Sequence, residues 1–160
     1  MAKMKITGLE DFQNTLRALG DQAERVMKAA VYAGADVMVQ TVKEEIQALP
    51  VQNGYMPPGV LRNEVSDQEK AALLSHIGIA KMDFDGGRVS TAIGFDGYTD
   101  YTTRKYQKGV PVAMLARSIE SGSSVRRKNP FLRRAGKKAK ERAQAAMVQA
   151  ANAEIEKMKG

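Results

Sequence analysis

Few side chains in this 160-residue sequence have the types and spacing that chemistry requires. Cysteine is absent and His76 is the single histidine. That removes disulfides, thiolate metal sites, cysteine nucleophiles and any two-histidine metal site. Catalysis would have to rest on carboxylates, hydroxyls or lysines. Asp83, Asp85, Asp96 and Asp100 come nearest to a cation site, but their spacing lacks the glycine and terminal glutamate of an EF-hand loop, so turn formation and solubility account for them better. GFDG and SGSS carry glycines without the GK[ST] ending of a phosphate-binding loop. His76 falls at the predicted end of a helix, where positive charge meets the helix dipole favourably, and its reading is structural. The sequence predicts no cofactor, no metal and no enzyme.

What remains is charge. The net +7 is unevenly spread: between Arg104 and Arg142 there are 13 Lys or Arg against only Glu120 and Glu141, a local balance of +11, which leaves −4 for the rest of the chain. Nine of those cations lie between Arg126 and Arg142. A mildly acidic body with one basic arm suits a phosphate-bearing partner or an acidic protein surface. The plainer reading is the solvated face of an amphipathic helix. Against it stands the near absence of the i,i+4 ion pairs that lace an exposed helix. The candidate partner-binding residues are Arg126, Arg127 and Lys128 in a loop, with Arg133, Arg134, Lys137 and Lys138 on the helix that follows. No base-reading motif and no aromatic platform for stacked bases accompanies them.

The elements that must position this arm can be read from periodicity. Met4 to Ile6 suits a short strand, and Leu9, Phe12, Leu16 and Leu19 mark a short helix stopped by Gly20. A capping-box spacing at Asp21 and Glu24 opens a long helix from about Gln22 to Ala48, with Met27, Val31, Gly34, Met38, Val42 and Ile46 in one row and Ala23, Val26, Ala30, Ala33 and Val37 in a second. At about 1.5 Å per residue it spans roughly 40 Å. Pro50 ends it, and Leu61 and Val65 are expected to tuck under the loop beyond. Ser66 and Glu69 start a third helix that ends near Gly78. Alternation around Asp85-Gly86-Gly87 predicts a β-hairpin from Ile79 to Ile93. Pro111 opens a helix stopped by Gly122, and Asn129-Pro130 begins the last one. Its inward stripe is expected to be Leu132, Ala135, Gly136, Ala139, Ala143, Ala146 and Ala150, small enough to approach the long helix closely at Ala30, Ala33 and Gly34.

The fold expected is a single α+β domain over 1–160, with long central and C-terminal helices packed with shorter helices against a small antiparallel sheet. Mobile loops are expected near 50–60, 97–109 and 122–129, ordered on contact with a partner. No apolar run is long enough to span a membrane and MAKMKITG lacks the apolar stretch of a signal peptide, so a cytoplasmic protein is expected.

Taken in order, these pieces resemble a phage morphogenesis family, the gene-product-ten-like minor tail, neck or tail-completion proteins of long-tailed double-stranded DNA phages. The matching segments are the Ala-rich long helix, PPGVLRNEV, the hairpin closing on IGFDG, PVAMLARSIESG and NPFLRRAGKKAKE. Gly59, Leu61 and Arg62 match the family's usual Thr-Gly-x-Leu-Arg, with Pro58 standing where Thr is common; Glu120, Gly122 and Pro130-Phe131-Leu132 also match. The resemblance implies an α+β subunit without catalysis, encoded by a phage or prophage and found in the virion at the neck or tail end after assembly in the host cytoplasm. Its implied partners are other copies of itself in a ring and the connector and tail-tube proteins, with non-specific contact to DNA in the channel. The alternative is a small basic DNA-binding or DNA-packaging accessory protein.

Overall fold

A computed structural model describes Gly20 and residues 22–159, and the expected strand at Met4 to Ile6 and helix at Leu9 to Leu19 lie outside the described residues. Four helices and four short strands follow in order: α1 (Gln22–Gln47), α2 (Asp67–His76), β1 (Ile77–Ile79), β2 (Asp83–Asp85), β3 (Arg88–Ser90), β4 (Ile93–Phe95), α3 (Val112–Ser121) and α4 (Phe131–Lys159). The α+β class read from the sequence is the observed one. No helix among the described residues is long and apolar enough to cross a membrane.

The long helices α1 and α4 pack along one another and form the frame. On α1 Ala23, Val26, Ala30, Gly34, Met38, Val42 and Ile46 run down the buried face, with Ala35, Val39, Thr41 and Glu45 buried beside them, so the two expected rows merge into one face; Met27, Val31 and Ala33 are only partly covered. The α4 face runs in steps of four: Phe131, Ala135, Ala139, Ala143, Met147 and Ala151. This corrects the expected stripe, since Ala146 and Ala150 are only half-buried and Met147 and Ala151 take the inward places. The steps of four follow one ridge of the helix, which winds slowly around the axis and keeps facing a long neighbour. Met147 fills the space left by Gly34, where an added Cβ would stand 2.6 Å from the methionine Cγ.

A second cluster closes the other end. Val42, Ile46, Leu49, Val65, Leu73, Val112, Leu115, Ile119 and Phe131 are buried together, and Phe95 meets the Phe131 ring at 6.3 Å between centroids. Helix α2 starts with the full capping box: Ser66 accepts from the Glu69 N–H and Glu69 accepts from the Ser66 N–H. It stops at His76, earlier than Gly78, because Ile77 turns extended and pairs with Phe95. The hairpin is therefore longer than expected. Its inner part pairs Ile77–Ile79 with Ile93–Phe95 and its outer part pairs Asp83–Asp85 with Arg88–Ser90. Between them residues 80–82 oppose only 91–92, a bulge that bends the ribbon. The turn is Gly86-Gly87 with φ of 55° and 85°, the pair of positive angles a tight two-residue hairpin demands.

The loops have partners within the chain. Residues 50–65 are fastened by Gln52 and Val65 N–H groups on the Val65 and Pro50 carbonyls and by Asn53 against Asp67. Lys70 reaches the Gln47 and Leu49 carbonyls, satisfying acceptors that the end of α1 leaves free. Thr99 bonds Val110 and Tyr101, and Thr103 pairs with Tyr106 within the 97–109 loop. Val65 is buried as expected, whereas Leu61 faces out with 43% of its surface exposed.

Candidate interaction surface

The loop from Gly122 to Pro130 joins α3 to α4 and carries the first three candidate cations. Gly122 has φ 78° and lies against the Arg126 carbonyl and the Lys128 N–H, so a side chain there would be strained and crowded. Ser123 and Arg126 exchange backbone bonds, and Arg62 donates to the Val125 carbonyl while accepting from the Arg127 N–H. This segment, expected to be ordered on contact with a partner, makes these backbone bonds to Arg62 of its own chain.

Arg126 is the main correction. Its side chain is 8% exposed, its Nη2 lies 2.7 Å from Glu69 Oε1 and its Nη1 donates to the Glu64 carbonyl at 2.9 Å. Arg62 approaches the other Glu69 oxygen at 3.7 Å. A guanidinium so enclosed holds three segments together and has no reach left for a partner. Tyr101 stands beside this group: burial first, then the charge of Glu69, pushes its phenol above the usual value against the opposing pull of Arg126 and Arg62. Glu69 supplied a capping-box signal in the sequence, but nothing local could reveal that it also binds an arginine 57 residues away.

Helix α4 begins at Phe131, and the carboxylate that receives its first free N–H groups is Glu120 of α3, not Asn129: Oε2 accepts from Leu132 at 2.8 Å and Oε1 from Arg133 at 3.3 Å. The cations beyond then fall into two rows, since about 100° per residue separates 133, 137 and 140 from 134, 138 and 142. The second row is turned toward α1. Arg134 and Lys138 both hold Glu45, which is 4% exposed, and Arg142 donates to Thr41 Oγ1 at 2.9 Å and lies 3.9 Å from Glu44. Burial would push the Glu45 carboxyl up, but the hydrogen bonds and charges of Lys138 and Arg134 outweigh it and hold the pKa below the ordinary value. Thus Arg134 and Lys138 are committed within the chain, although each keeps part of its surface in solvent.

The other row stays free. Arg127, Lys128, Arg133, Lys137 and Lys140 are exposed, and among the described residues none of them forms an ion pair. Of the seven candidate residues, then, Arg127, Lys128, Arg133 and Lys137 present cations outward, while Arg126, Arg134 and Lys138 serve internal carboxylates. Lys140 completes the outward row.

No family model, curated protein or solved structure matches the chain. The site must be judged on its own chemistry. Among the described residues no three His, Asp or Glu gather as metal ligands. His76 makes local bonds to Ser75 and the Ala72 carbonyl and fills the space beside Gly97, which fits the structural reading. What the surface offers is a set of exposed cations on α4 and the loop before it that form no ion pair among the described residues.

Proposed function

We propose that this chain is a structural morphogenesis protein of a long-tailed double-stranded DNA phage, acting at the head–tail junction or tail end through ring assembly and protein contacts, without catalysis. The observation that carries this reading is the outward set of Arg127 and Lys128 in the loop and Arg133, Lys137 and Lys140 on α4, which form no ion pair among the described residues while Arg126, Arg134 and Lys138 beside them are held by Glu69 and Glu45. Such a set is held in place by the core and points away from it, as an assembly contact requires. The sequence segments resembling the phage family support it, because they converge on this one junction. Glu120 caps α4, Gly122 permits the turn, Phe131 anchors the helix in the core, and Arg62 pairs with the loop. In this reading the protein works in the virion and its partners are copies of itself and the connector and tail-tube proteins.

Reversing Arg127 and Lys128 to Glu is expected to leave the circular-dichroism spectrum and unfolding midpoint unchanged while blocking the joining of heads to tails. Normal particle yield from the folded variant would refute the interface. The same cations would also suit a DNA-packaging accessory. Tight duplex-DNA binding near physiological salt, with a slope set by about five phosphate contacts, would favour that role instead.

A further inference from the structure

The stitched loop presents more than charge. Residues 62 and 126 form a parallel bridge, and both side chains turn inward to Glu69. Alternation on either side of Arg62 turns Leu61 outward, and Val125 lies in the tight turn that closes between Ser123 and Arg126. Leu61 and Val125 each come just before a member of the bridged pair and have 43% and 65% of their surfaces exposed, with Val60 at 50%. Arg127, which follows the inward Arg126, is exposed, as is Lys128 after it. An aliphatic pair rimmed by unpaired cations calls for an apolar side chain flanked by carboxylates.

The same chain carries that complement. Strand β2 is Asp83-Phe84-Asp85, and all three residues are exposed. Phe84 shows 45% of its surface, and among the described residues neither aspartate forms an ion pair. Among the described residues β2 pairs only with β3, which leaves its other edge without a strand partner there. Phe84 leaves one face of this edge strand and the aspartates the other, so a clasp needs an apolar floor on one side and long cationic side chains reaching round the edge. Leu61 with Val125, and Arg127 with Lys128, provide those two parts. Glu69 lies in the first turn of α2 and the hairpin leaves from its other end, so the two surfaces sit at different places on the subunit.

We infer that the Asp83-Phe84-Asp85 edge of one copy docks on the Leu61–Val125 patch of the next, with Arg127 and Lys128 pairing the aspartates. This rests on the reading that copies of the chain assemble, and it names the contact. Because donor and acceptor surfaces differ, the contact is head-to-tail and closes into a ring or runs on as a filament. One aromatic anchor burying about 200 Å² lies far below the roughly 1,200 Å² of a stable interface. Free subunits in dilute solution therefore stay apart, and the contact takes hold when a template holds copies together.

The absence of native cysteine makes the test direct. Purified full-length Lys81→Cys and Ser124→Cys chains, which keep Phe84, Leu61 and Val125 and carry their thiols at exposed positions beside them, are mixed at high concentration and oxidised, with Tyr32→Cys, also exposed, as the control partner. The Lys81→Cys/Ser124→Cys disulfide is expected to exceed both homodimers and all Tyr32→Cys pairings by about tenfold, the gain from a preformed contact raising effective concentration. Adding Arg127→Asp with Lys128→Asp to the acceptor chain should abolish that excess. Adding Asp83→Lys with Asp85→Lys to the donor chain should restore it. Cross-linking at the share random collision gives, or cross-linking indifferent to both charge reversals, overturns the contact. Protection of the Ser124→Cys thiol by a foreign acidic peptide, without cross-links between copies, also overturns it in favour of another protein. Specific cross-links combined with normal phage assembly by the charge-reversed chain uphold the contact and refute the assembly role.

Discussion

Replacing Arg126 with Met tests whether the cation is part of the fold or part of a surface. The substitution keeps much of the aliphatic volume and removes two bonds, to Glu69 Oε1 at 2.7 Å and to the Glu64 carbonyl at 2.9 Å. Breaking a buried pair by deleting one member costs about 3–5 kcal/mol, chiefly because the remaining charge is stranded. Here Glu69 is not wholly stranded. Arg62 stays 3.7 Å away and the Ser66 N–H still donates to Oε2 at 2.8 Å. The lower end of the range applies, about 3 kcal/mol. Arg127→Met removes an exposed cation with no ion partner and should change stability by less than about 0.5 kcal/mol. Urea unfolding followed at 222 nm reports both, with the slope unchanged if only stability moves. The double variant Arg126→Met/Glu69→Gln should be less destabilised than the two single effects added, by about 1–2 kcal/mol, as expected for groups in direct contact. Equal, small effects of Arg126→Met and Arg127→Met would refute the argument that Arg126 is committed to the fold.

Two further outcomes follow from the α1–α4 contact. Because the Glu45 carboxyl is held below its ordinary pKa, its contribution is complete above the unfolded value and is lost as pH falls through the folded one; Glu45→Gln should therefore narrow the difference in urea midpoint between about pH 6 and about pH 3. Gly34→Ala gains about 1 kcal/mol of helix propensity but drives a Cβ to 2.6 Å from Met147 Cγ, an overpacking cost of about 2 kcal/mol; thermal unfolding should show a net loss near 1 kcal/mol, and a stabilised protein would show that Met147 moves aside freely.

Local signals carried much of this fold into the sequence. The 26-residue α1 follows from apolar spacing and the break at Pro50, and the start of α2 from Ser66 and Glu69, because cap and stripe need only residues within a few turns. The hairpin turn follows from Gly86-Gly87, since a tight turn with two positive φ angles admits few other residues. The surface was legible only in part. Arg127, Lys128, Arg133 and Lys137 are outward as the basic run implied, and the pairing of α4 with α1 followed from their small residues. Leu61 and the inward places of Met147 and Ala151 were misplaced, because which of several apolar residues faces in depends on the neighbour's shape.

The sequence by itself determined the element order, the α+β class and the crowding of positive charge into one arm, all properties of residues near one another along the chain. Only the tertiary structure decided what each cation does. Glu45 and Glu69 neutralise Arg134, Lys138 and Arg126 from 89, 93 and 57 residues away, and Glu120 of α3 caps α4. An ion pair depends on distance in space and on how far burial has removed competing water, and neither is written in local spacing.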